Sequence, residues 1–154
     1  MRKLLGTTLG VAVLALLAVG LVPVAASAGV SRATAATTVV VTVGDTTGLA
    51  GPMTMTVAPD AAPAGKVTFK VTNNGTILHE MVVLKLKAGT TYDQLKVDPK
   101  TNRVSEATTV GEVGNVPKGK TKSVTLKLKK GNYVLVCNIA KHYGLGMRAA
   151  FTVN

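Results

Sequence analysis

The stretch Tyr133-Val-Leu-Val-Cys137-Asn-Ile-Ala-Lys-His142-Tyr-Gly-Leu-Gly-Met147 is where this chain's fold can first be read. Tyr133, Leu135 and Cys137 fall on one face of an extended segment, the period-two pattern of a half-buried strand. Met147, Ala149, Phe151 and Val153 repeat that pattern further on. The segment therefore predicts a strand that ends in Cys, a nine-residue loop with His midway, and a strand that opens with Met. The spacing is C-x4-H-x4-M. A turn between adjacent strands brings its two ends together, so a thiol, an imidazole and a thioether converge on one small volume.

The same alternation extends upstream. Val39, Val41 and Val43 alternate with Val40 and Thr42, and Met53, Met55 and Val57 with Thr54 and Thr56. Val67, Phe69 and Val71 oppose Lys66, Thr68, Lys70 and Thr72. The run from Ile77 to Lys87 starts irregularly and then places Val82, Leu84 and Leu86 opposite Val83, Lys85 and Lys87. Val124, Leu126 and Leu128 oppose Thr125, Lys127 and Lys129. Turn residues separate these runs at Pro63-Ala64-Gly65, Asn73-Asn74-Gly75, Pro117-Lys118-Gly119 and Lys130-Gly131-Asn132. Residues 88–116 are polar and lack alternation, apart from one expected helical turn between Thr90 and Leu95. Seven to eight short strands with one long excursion predict an all-β, Greek-key β-sandwich. Met53, Met55 and Met81 read as core filler.

The first residues read as a segment outside the fold. Arg2 and Lys3 precede an apolar run from Leu4 to Val24, and Ala26-Ser27-Ala28 offers a cleavage pattern. The expected organisation is a signal peptide over 1–28, a flexible leader over 29–37 and one domain over 38–154. A retained membrane anchor is the alternative for the apolar run. The chain carries a net charge of +11, and loss of Arg2 and Lys3 would leave +9. Nucleic acid is the reflexive partner for such charge. An exported chain rarely meets it, and with no Trp, three Tyr and two Phe this one lacks stacking platforms. The expected partners are acidic redox proteins, with loose association at a membrane or envelope surface and a monomeric state.

An exported chain with a single cysteine, Cys137, cannot form an internal disulfide. Left free, the thiol would invite oxidation, so a metal is the better occupant of the sulfur. Thiolate, imidazole and thioether suit copper cycling between two oxidation states. Two His and one Cys with a weak axial Met define the blue-copper electron-transfer geometry. His79 is the one other histidine in the sequence and so the one source of a second imidazole. With 2 His and 5 Met in 154 residues, chance placement at both offsets is about one in a few thousand. A Cys–His nucleophile lacks an oxyanion hole and an orienting acid and leaves Met147 unexplained. A multicopper enzyme would need more histidines than two. The chain is therefore expected not to be an enzyme. An extracytoplasmic copper carrier or buffer is the alternative function.

From about residue 37 to 154 the sequence resembles the cupredoxins, the family of plastocyanin, azurin, auracyanin and rusticyanin. The loop from Cys137 to Met147 is most similar to those of auracyanin and rusticyanin, and Val71-Thr-Asn-Asn-Gly-Thr-Ile-Leu-His79 is similar to the segment that delivers the family's first His. The resemblance implies one type 1 copper ion bound by His79 Nδ1, Cys137 Sγ, His142 Nδ1 and, weakly, Met147 Sδ, and a periplasmic, envelope or secreted electron carrier. Many members have Asn after the first His. Here Glu80 stands in that place, and its carboxylate is expected to favour the oxidised metal. Tyr143, Gly144, Leu145 and Gly146, with Leu78, are expected to form a flat docking patch around His142.

Overall fold

The computed structural model describes residues 35–154. The expected signal peptide and residues 29–34 of the leader lie outside the described residues. The strands are β1 (Thr37–Asp45), β2 (Met53–Ala58), β3 (Ala61–Ala62), β4 (Gly65–Asn73), β5 (His79–Lys85), β6 (Thr109–Val116), β7 (Thr121–Leu128), β8 (Gly131–Val136) and β9 (Arg148–Val153). Two short 3-10 turns, Gly48–Ala50 and Tyr92–Gln94, complete the elements. One sheet has the order β2-β1-β4-β7 and the other β3-β9-β8-β5-β6. β1 runs parallel to β4 and β3 parallel to β9, while the other pairings are antiparallel. The expected all-β sandwich is the fold.

The alternation works as the sequence implies. Val39, Val41, Val43, Val67, Phe69 and Val71 point between the sheets and meet Met81, Val83, Tyr133, Leu135, Phe151 and Val153. Phe69 and Phe151 cross edge to face with ring centres 5.2 Å apart. Each such side chain, fully removed from water, stabilises the fold by about 1.5–3 kcal/mol. Met53, Met55 and Met81 are buried in this core, as expected.

Residues 88–116 differ from the expectation of one irregular excursion. Thr109–Val116 is β6, an edge strand paired with β5. Its alternation is hidden because Val113 and Val116 are its only buried residues, and its pairing with β5 slips twice. Gly111 also gives no pattern, although a Cβ there would push against the Leu126 side chain. The remaining excursion lies over the outer face of the five-stranded sheet. Leu86 and Val104, with the half-buried Tyr92, Leu95 and Val97, cover Val82, Leu84, Val134 and Val136. β5 is thus buried on both faces over Val82, Val83 and Leu84, and its irregular start coincides with a register shift against β6 between His79 and Met81. The expected helical turn is Tyr92–Gln94, held at its start by the Gln94 side chain accepting the Thr91 N–H at 2.9 Å.

Candidate metal centre

The site lies where β1, β4 and β8 end and β5 and β9 begin. The β4–β5 turn is tied by Asn73, whose side-chain NH2 donates to the carbonyls of Ile77 and Val116, both at 2.8 Å. Its Oδ1 accepts the Gly75 N–H at 2.7 Å. These bonds deliver His79 as the first residue of β5. From the other side, β8 ends at Val136 and Cys137 follows, its N–H bonded to the Met147 carbonyl at 3.0 Å. The loop folds back through His142 N–H to Ile139 O at 3.0 Å and Met147 N–H to His142 O at 3.2 Å.

His79, Cys137 and His142 meet here, with ligand atoms all within 4.8 Å of one another. His79 Nδ1 lies 3.2 Å from His142 Nδ1, and Cys137 Sγ lies 3.3 Å from His142 Nδ1. All three side chains are buried, as is Met147, seated at the mouth of β9 and joined through its backbone to both Cys137 and His142. Three electron-pair donors converging in a dry pocket fit a soft or borderline metal ion. One thiolate with two imidazoles is a copper-selecting set.

Asp45 is the residue that sequence reasoning missed. It ends β1, and its Oδ2 lies 2.8 Å from His79 Nε2. Burial works to raise its pKa, but hydrogen bonds from Thr76, His79 and Gly48 outweigh that and hold the carboxyl well below the usual range. With Nε2 engaged by Asp45, His79 presents Nδ1 to the other two ligands. No spacing signal could have found this contact, because 34 residues separate the partners on different strands. Gly75 makes room for it, since a Cβ there would meet both Asp45 and His79.

Glu80 bonds to the ligand loop through both its backbone and its carboxylate. Its N–H donates to Cys137 Sγ at 3.4 Å, while its Oε1 accepts the Asn138 N–H at 3.0 Å. Burial, then the neighbouring Glu106 and Glu112, raise its pKa against the pull of Asn138 and Arg103. Glu80 therefore braces the loop, and Asp45 is the buried carboxylate behind a ligand. Burial pushes the Cys137 thiol up to about 11, although the Glu80 N–H opposes the shift. Burial and then His79 push His142 down.

The expected docking patch needs correction. Tyr143 is buried, packs with Val104 and Tyr92, and donates its hydroxyl to the Tyr92 carbonyl at 3.1 Å. Leu78 is 43% exposed and Gly144 is exposed, while Leu145 and Gly146 are half-buried. His142 itself is only 2% exposed. Among the described residues its Nε2 has no hydrogen-bond partner, and no sealed side-chain nitrogen or oxygen lacks one. Nε2 is therefore the point at which the imidazole reaches the surface.

Fold and site together define a copper-binding β-sandwich of the blue-copper class. Residues 50–154 match the family of copper binding proteins described as plastocyanin/azurin. The chain belongs to that family, and its cofactor is one type 1 copper ion. A comparison with curated protein sequences found no match. Among solved structures it is similar to the dithionite-reduced auracyanin of Roseiflexus castenholzii, with 21% identity, TM-score 0.52, and 78% of this chain and 98% of that one covered. It is also similar to rusticyanin from Thiobacillus ferrooxidans, with 21% identity, TM-score 0.51, and 78% and 79% covered. An azurin of Methylomonas sp. strain J gives 19% identity and TM-score 0.50 over 78% and 99%. At such identities the likeness extends to the fold.

Proposed function

We propose that this chain is an exported electron carrier in which His79, Cys137, His142 and Met147 would hold one type 1 copper ion. The convergence of His79 Nδ1, Cys137 Sγ and His142 Nδ1 in a buried pocket carries the reading. Copper there supplies reversible one-electron chemistry. The chain's own part is to keep the ligands fixed so that little rearranges between the two oxidation states. Asp45 orients His79, Glu80 N–H donates to the Cys137 sulfur, and the Cys137–Met147 backbone bond closes the loop. His142 Nε2 is the exit toward a partner, bordered by the exposed Leu78.

A carrier that hands copper over needs exposed soft ligands. Met53, Met55, Met81 and Met147 are all buried, which favours electron transfer over metal delivery. The two histidines of the sequence are both committed to this site, which supports a carrier and not a multicopper enzyme. Acidic redox proteins remain the proposed partners, on the strength of the net charge. Copper-loaded protein should be intensely coloured through charge transfer from the Cys137 thiolate. Cys137→Ser should remove the colour and leave the far-ultraviolet circular dichroism unchanged. A colourless wild-type protein under oxidising, copper-replete conditions would sink the proposal.

A further inference from the structure

The Asp45 carboxylate sits behind the metal ligands, with its side chain fully buried. The N–H groups of Gly48, Thr76 and Ile77 donate to it at 2.7, 2.8 and 3.3 Å, and the Thr76 hydroxyl donates as well. His79 Nε2 is 2.8 Å away. A carboxyl carrying a proton would need an acceptor. Three backbone N–H groups, which can only donate, already occupy both of its oxygens, so it belongs there as the anion. A buried charge is costly unless another balances it. In the proposed site, Cu(II) brings two positive charges and the Cys137 thiolate one negative. Asp45 supplies the second negative charge and makes the oxidised centre neutral. One-electron reduction then leaves the same pocket with an uncompensated negative charge. Without Asp45 the balance would reverse, with the reduced centre neutral.

We propose that Asp45 is a positioning and charge-setting residue of the copper centre, one that holds His79 Nδ1 toward Cys137 and His142 and makes the site favour Cu(II) over Cu(I). The inference rests on the copper site proposed above. Glu80 does not substitute for Asp45, because it lies on the half-exposed side of the loop beside Arg103 and bonds to Asn138.

The test is Asp45→Asn, which keeps an oxygen for the Gly48 and Thr76 donors and removes the charge. Cu(II) and Cu(I) dissociation constants are measured by competition with chelators for wild type, Asp45→Asn, Glu80→Gln and Thr76→Val. The expected result is that Asp45→Asn weakens Cu(II) binding relative to Cu(I) by tenfold or more. That ratio equals a rise in midpoint potential of about 59 mV per tenfold for one electron. Glu80→Gln should move the ratio less. Thr76→Val loosens the carboxylate but keeps its charge, and should move it less too. An unchanged ratio in Asp45→Asn, or an equal shift in Thr76→Val, overturns the charge-setting role while leaving copper binding intact. Wild-type protein that binds no copper overturns both this inference and the proposed function. If Asp45→Asn does not fold, 15N NMR of the wild-type metal-free protein decides the matter. A proton on His79 Nε2 is expected, and a proton on Nδ1 with Nε2 bare contradicts the proposal.

Discussion

Cys137 and His142 are perturbed in opposite directions before a metal arrives, and both shifts bear on the metal-free protein. The thiol is raised in the fold from its ordinary 9.0 to about 11, so the folded chain holds a proton there that the unfolded chain releases. That contribution is present below pH 9.0 and is lost as pH rises toward about 11, a change of about 2–3 kcal/mol. His142 is lowered from 6.5, so its contribution is present above pH 6.5 and is lost as pH falls through its folded value. Thermal melting of the metal-free protein should therefore show a plateau between about 6.5 and 9.0, with stability falling on both sides. With copper bound the thiol is already deprotonated, so the alkaline fall should vanish. Identical alkaline profiles with and without copper would contradict Cys137 as a ligand. Cys137 and His142 were legible because one loop carries them, and His79 because no other histidine exists in the sequence. Asp45 was not legible, since only the pairing of β1 beside β4 and the turn after β4 bring it to His79.

The excursion between β5 and β6 is the element that holds the ligand loop from outside. Asn138, next to Cys137, accepts the Val104 N–H at 2.9 Å and donates to the Val104 carbonyl at 2.9 Å and to Glu106 at 2.6 Å. Lys141 N–H reaches the Thr101 carbonyl at 2.7 Å in the same way. Asn138→Ala would leave both backbone groups of Val104 without partners in a buried position, at about 1–3 kcal/mol for each group. The variant should unfold at lower denaturant and lose copper faster to a chelator. Unchanged stability and unchanged copper loss would show that the excursion does not support the loop. The clean strands were legible from alternation because each buries one face. β5 was legible past its irregular start, whereas β6 was not, because it is an edge with two buried residues and a slipped register.

Across the whole domain, charge is distributed by position relative to the site. Lys118 and Lys120 flank the β6–β7 turn, which is hydrogen-bonded to Asn73 at the copper end, and Lys141 lies in the ligand loop. Lys66 pairs directly with Lys127 at the opposite end of the sheet, where Lys129 and Lys130 follow. In the proposed encounter, steering would fall chiefly to the lysines nearest the copper end, Lys118, Lys120 and Lys141 among them. The expected salt dependence is correspondingly mild. Electron transfer to an acidic test partner should slow as ionic strength rises, and Lys118→Gln with Lys120→Gln should flatten that slope more than Lys129→Gln with Lys130→Gln. Equal slopes for the two double variants would show that the lysines serve only to solubilise the surface.

Spectroelectrochemistry of the copper-loaded protein in the presence of a Cu(I) chelator separates an electron carrier from a copper donor. The colour should bleach on reduction and return on oxidation over repeated cycles, with one electron per copper and no copper lost, because His79, Cys137, His142 and Met147 are all buried. Transfer of copper to the chelator on the first reduction would contradict an electron carrier and identify a copper donor instead.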